Sequence, residues 1–181
     1  MGDSSPAPSS LYRRLLGAGF DTLPPILRRV HGQEKGAVAE GLLRVERGGG
    51  RVRALAADLL SLPRAGECVP LRLEIRAERK RERWIRYFDG QRLETVQWQQ
   101  KGLLVEAAGP LRFGFRVEAD QTGMRFTSLE CRLLFLPLPG PIAPRITAIV
   151  VGQETCWIID MRIEAPLLGL LARYEGEVAP L

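Results

Sequence analysis

His31 is the only histidine among 181 residues, and that scarcity removes several kinds of chemistry. A metal site built on two histidines is excluded, and hydrolases that pair a histidine with a serine or cysteine nucleophile are set aside. Cysteine is sparse as well: Cys68, Cys131 and Cys156 are odd in number and far apart, which argues against a zinc site or a disulfide framework. Their apolar flanks predict three buried, inert thiols in a reducing compartment. No charged-then-apolar leader opens the sequence, and no run of about 18 apolar residues could span a bilayer. These absences predict a soluble, cytoplasmic protein with no transmembrane segment. A phosphate loop is missing too, because Gly48-Gly49-Gly50 lacks a following Lys-Ser/Thr and the GxGxxG spacing. Neither a metal nor any other cofactor is expected.

Lysine is nearly absent, so 23 of the 26 basic residues are arginine, and the formal charge is +5. The excess is local. Residues 72 to 92 hold eight basic and four acidic side chains, whereas residues 94 to 181 hold eight basic and ten acidic. Such a strip could meet phosphates or anionic lipid head groups. Equally, the polar faces of exposed strands are commonly Arg/Glu ladders that pair across the sheet. Trp84, Tyr87 and Phe88 interleave the basic stretch and could stack bases, but they are also strand formers at core positions, so nucleic acid is not the expected partner.

What the chain does have is a long meander. Between residues 69 and 135 apolar and polar residues alternate: Val69, Leu71, Leu73 and Ile75 against Arg72, Glu74 and Arg76, then Leu111, Phe113, Phe115 and Val117 against Arg112, Gly114 and Arg116. Period two places one face inward and one in water. Asp89-Gly90 is a strong two-residue hairpin turn, and Gly102, Gly109-Pro110 and Gly123 punctuate the later strands. After the proline-rich connector 136–144, further strands are expected near 145–152, 156–165 and 170–179.

Ahead of the meander, residues 1–10 read as a mobile tail, rich in Ser and Pro. Residues 11–181 read as a single globular domain. Ser10 is a natural N-cap, and helices are expected at 10–17, ended by Gly17 and Gly19, and at 24–31 behind Pro24-Pro25. Another is expected at 51–62, with Val52, Leu55, Ala56, Leu59 and Leu60 on its buried face. The fold class is therefore α+β: a curved antiparallel sheet of nine or ten strands with three short helices near the N-terminal half. A sheet of that size curls, splits or closes, and a closed barrel could hold a small apolar ligand.

Several blocks in this order resemble a known family: Leu11-Tyr12-Arg13-Arg14-Leu15-Leu16-Gly17, Leu23-Pro24-Pro25 through His31, and Glu82-Arg83-Trp84 with Arg86, Phe88 and Gly90. The blocks Gly109-Pro110-Leu111-Arg112-Phe113-Gly114-Phe115, Pro137-Leu138-Pro139, and Pro166-Leu167 to Tyr174-Glu175-Gly176 complete it. Together they resemble an uncharacterised bacterial domain family that occurs alone or fused behind saccharopine-dehydrogenase-like modules. The likeness covers about residues 11 to 180. It implies no activity, but it marks His31, Arg83, Trp84, Arg86 and the 109–115 block as recurrent positions.

The leading expectation is a non-catalytic domain that binds an apolar or lipid-like small molecule in the curved sheet. Phe113, Phe115, Phe126, Trp157 and Met161 supply apolar lining, Trp84 joins them, and Arg83 or Arg86 receives a polar head group. Those two differ by an odd number, so a regular strand turns at most one of them inward. The connector 136–144 and the turn 165–170 are expected together at the rim, guarding access. Two alternatives stand beside this. One is a small metal-free enzyme in which His31 and a strand carboxylate transfer a proton. The other is an interaction module for a partner oxidoreductase. His31 itself is expected to end a helix, its partial charge favoured by the helix dipole.

Overall fold

The computed structural model describes residues 10–33 and 35–181. Residues 1–9 of the expected tail lie outside the described residues. Eleven strands follow in sequence order: β1 Ala37–Arg47, β2 Gly66–Glu78, β3 Arg81–Phe88, β4 Gln91–Gln100, β5 Leu103–Ala108, β6 Leu111–Ala119, β7 Gly123–Leu133, β8 Leu136–Pro137, β9 Arg145–Gly152, β10 Trp157–Ala165 and β11 Gly169–Pro180. Each pairing is antiparallel, and all strands but the two-residue β8 close into a barrel. The α+β expectation of a curved, closing sheet holds.

Alternation builds the wall. On β2, Val69, Leu71, Leu73 and Ile75 are buried while the residues between them are exposed or half-exposed. Asp89 and Gly90 both take positive φ, 47° and 80°, which lets the β3–β4 hairpin follow the strands' right-handed twist. The ring closes where β1 meets β11, Ala39 opposite Pro180 through Arg47 opposite Ala172. Gly41 is required there, since a Cβ on it would sit 2.2 Å from the Glu177 carbonyl oxygen.

Helices α1 (Leu11–Leu16), α2 (Gly19–Thr22) and α3 (Pro25–His31) close one end of the barrel. Ser10 caps α1 by accepting from the Arg13 N–H, and Gly17 ends it with φ 55°. Gly19 was expected to end that helix; instead it starts α2, so four helices replace the expected three. Tyr12, Phe20, Leu27 and Val30 are sealed against the barrel's interior.

Helix α4 (Arg51–Leu59) lies at the opposite end and stops short of the expected residue 62. Its packing also overturns part of the expected face, for Ala56 and Leu60 pack against the core but the other three do not. Val52, Leu55 and Leu59 are 64%, 69% and 84% exposed, while Ala57 is fully buried. The cause is a tether: the Arg47 guanidinium donates to Asp58 Oδ1 and to the Leu62 carbonyl oxygen, each at 2.8 Å. With Ser61 at φ 53° and the Leu62 N–H bonded back to Ala57, the chain turns and tucks Leu62 rather than Leu59 inward.

The same end carries the turns 109–110, 134–144 and 166–168. Arg145 stands opposite Glu164 in the strand register, and Ala165 opposite Gly169, so the connector 136–144 and the turn 165–170 do sit together at one rim. On the outer wall, the basic strip is an Arg/Glu ladder: Arg72 meets Glu40 at 2.6 Å, Arg83 meets Glu94 at 2.6 Å, and Arg92 also pairs with Glu94. Cys131 and Cys156 are buried as expected, but Cys68 is exposed, because it precedes the inward-facing Val69 and so falls on the outer face.

Candidate functional site: the barrel interior

Two adjoining cavities occupy the barrel. The outer one, about 310 Å³, opens beside the segment 59–63 and the turn Gly109-Pro110, with Leu93, Leu111 and Phe113 on its walls. The inner one, about 80 Å³, ends against Tyr12, Val30 and His31 of the helical plug. Arg86, Glu106, Phe115, Ile146, Met161 and Tyr174 line both. These six form a waist between them.

At the waist the polar atoms are matched to one another. Arg86 donates from Nη1 to Thr95 Oγ1 at 2.9 Å and from Nη2 to Glu106 Oε1 at 3.3 Å, and its guanidinium lies 5.0 Å from the Trp84 ring centre. The two charged side chains keep only 12% and 16% of their surface exposed. A pair this enclosed persists because each charge is the other's solvent. Tyr174 donates its hydroxyl to Met161 Sδ, and burial pushes its pKa up to about 12.

The plugged end is a second polar knot in aromatic surroundings. Tyr12 donates to Gln97 Oε1 at 3.0 Å. Burial, then the nearby Glu82 and Glu106 carboxylates, hold the Tyr12 hydroxyl well above its usual pKa. Trp84 donates from Nε1 to Glu82 Oε2 at 3.0 Å. Burial raises the Glu82 carboxyl against the opposing pull of that bond, of Arg14 and of the Leu11 N–H. His31 packs between Tyr12, 4.2 Å away, and Trp84, 5.8 Å away and nearly parallel. Its Nδ1 has no partner, and burial lowers its pKa to about 4. The expected partly charged helix-end histidine is therefore replaced by a neutral, enclosed ring, because α3 ends inside the plugged end of the barrel rather than in water.

Of the residues picked from sequence, Trp84, Phe126 and Trp157 line the inner cavity and Phe113 the outer, while Arg86, Phe115 and Met161 line both. His31 lines the inner one. Arg83 does not join them: it faces outward and is held by Glu78 and Glu94. Tyr12, Thr95, Gln97 and Tyr174 carried no expected site role, and Glu106 was expected only as one of several strand carboxylates, with Glu40, Glu94 and Asp160; it lines both cavities. The signal for β4 was inverted, since its inner face carries Thr95 and Gln97 while Val96 and Trp98 lie on the outer face, Trp98 beneath the Arg81 and Arg112 guanidinium groups. The rim loops 136–144 and 165–170 do not line the cavity; its mouth belongs to 59–63 and 108–111.

Among the described residues, no cluster of three or more His, Cys, Asp or Glu could hold a metal ion. No helix among them is long and apolar enough to cross a membrane.

The fold and its interior define a closed antiparallel β-barrel, plugged by helices at one end and hollow toward the other, an architecture with room for a small molecule. Residues 23–178 match the family described as Domain of unknown function (DUF4166), and the chain belongs to that family. No curated protein matches the chain, and no solved structure does.

Proposed function

We propose that the domain binds an apolar small molecule carrying one uncharged hydrogen-bonding group, admitted tail-outward through the outer cavity. The carrying observation is the waist, where Arg86 and Glu106 present a donor and an acceptor together at the base of an apolar chamber. A carboxylate head group would be brought against the Glu106 carboxylate. A hydroxyl instead accepts a hydrogen bond from Arg86 or donates one to Glu106, and a carbonyl accepts one from Arg86, with no charge left over. The chamber of about 310 Å³ stands at the lower bound of ligand pockets, about 300 Å³. At about 25 cal/mol per Å², an acyl-sized ligand burying a few hundred Å² gains about 5 to 8 kcal/mol before ordering costs.

Displacement of phenylnaphthylamine, an uncharged fluorescent probe, by dodecanol and by lauric acid tests this. Dodecanol is expected to compete in the micromolar range and lauric acid about tenfold less well, with Glu106→Gln narrowing that gap. No displacement by either compound would overturn the reading.

The unpartnered Nδ1 of His31 supports a second reading, proton transfer on a bound substrate in the inner cavity. A base with a pKa of about 4 is weak at neutral pH, so this reading expects turnover that falls as His31 is replaced by Gln while probe binding stays.

A further inference from the structure

We infer that the open end of the barrel docks on an anionic lipid bilayer, a proposal that rests on the reading of the interior as a site for an apolar ligand. Three observations at that end point the same way.

The first is the apolar collar. Val52, Leu55 and Leu59 form one outward stripe of α4, and Phe135, Leu136 and Leu167 project from two other connections, at 77%, 74% and 72% exposure for the last three. These side chains come from separate segments around one opening, with Leu59 at the mouth itself. Exposed apolar surface on this scale marks an interaction face. Protruding side chains on a convex rim suit insertion into a deformable surface better than a fit into a rigid groove.

The second is charge. Arg51, Arg53, Arg64, Arg112 and Arg145 are exposed at this end, and none has a carboxylate partner among the described ion pairs. The nearby carboxylates Asp58, Glu67, Glu130 and Glu164 are each already held by another arginine, which leaves Asp89. Along the outer strip at 72–92, Arg72, Arg76, Arg83 and Arg92 are matched by glutamates, while Arg79 and Arg81 at the far hairpin tip have no carboxylate among the described ion pairs but stand away from the apolar collar. Unmatched arginines around an apolar collar complement anionic head groups around an apolar interior.

The third is continuity. Among the described residues, the collar surrounds the open side of the ligand chamber, and the helices α1 to α3 close the other end. A bilayer pressed against the collar covers the mouth, and an apolar ligand passes between bilayer and chamber without crossing water.

Co-sedimentation with phosphatidylcholine vesicles, with and without phosphatidylglycerol, tests the proposal. Binding is expected to the phosphatidylglycerol vesicles, weakened about tenfold by Leu55→Ser with Phe135→Ser, and again by Arg51→Glu with Arg53→Glu or by high salt. These positions are exposed and line no cavity, so phenylnaphthylamine binding in vesicle-free solution is expected to be unchanged in every variant. Absence of vesicle binding while the probe still binds would overturn the docking and leave the ligand reading standing. Loss of probe displacement with vesicle binding intact would do the reverse. A concentration-dependent dimer, or a protein partner such as an oxidoreductase, that the collar substitutions release in place of vesicles would also overturn it.

Discussion

Arg86 on β3 and Glu106 on β5 meet at 3.3 Å over the intervening strand β4, whose Thr95 accepts from the same guanidinium. The pair spans three strands across the barrel's interior. Removing one partner strands the other where water is scarce, so Arg86→Met is expected to lower stability by about 3 to 5 kcal/mol. Adding Glu106→Leu to that variant is expected to restore most of the loss. Urea unfolding of wild type, single and double variants reads both, and equal losses in the single and the double would contradict the account.

His31 supplies a pH dependence of known sign. The unfolded imidazole takes up its proton near pH 6.5 and the folded one only near 4, so between those values the unfolded chain binds more protons. The contribution to stability is full above pH 6.5 and is lost as pH falls through the window, to a total of about 3 kcal/mol. His31→Phe keeps an aromatic ring against Tyr12 and Trp84. The difference in unfolding free energy between wild type and this variant is expected to change with pH between 6.5 and 4 and to be flat above.

Glu82 works in the other direction. Its carboxyl is raised by burial, so the folded state holds the proton more tightly, and stability declines as pH rises through the raised pKa. Glu82→Gln removes that decline while its amide oxygen can still accept from Trp84 Nε1. Melting temperatures are expected to show the variant ahead of wild type at neutral pH, with the lead shrinking toward acid. A variant less stable at every pH would show that the attraction from Arg14 outweighs the burial.

The three thiols should separate by rate. Burial pushes Cys131 up to about 11, and burial together with Glu177 raises Cys156, whereas Cys68 is exposed. A disulfide reagent at neutral pH is expected to label Cys68 promptly and the other two only after unfolding.

The barrel wall was legible because period-two runs such as Val69 to Ile75 leave no other stable arrangement for four apolar side chains. The interior's polar residues were not. Glu106 follows Leu104 and Val105, which fall on opposite faces, so alternation gives no orientation to the strand. Thr95 and Gln97 face inward because Arg86 and Tyr12 need partners there, a requirement that exists only once β3 and α1 are in place. Helix α4 misled for the complementary reason. Its strongest apolar stripe is read correctly as a stripe, but the Arg47 tether to Asp58 and Leu62 decides which side meets the barrel.

Closure of the ring between β1 and β11 also sets a timetable for synthesis. As the chain leaves the ribosome, β1 pairs with β2 and the meander grows, yet the second edge of β1 waits until residues 169–180 have emerged. Throughout that interval an unsatisfied strand edge stands beside an uncovered apolar interior, the combination most prone to joining another nascent chain. Quality control during translation would therefore be felt most while the codons for residues 169–180 are read, and a ribosome stalled before β11 would hold a sheet with two edges and no inside.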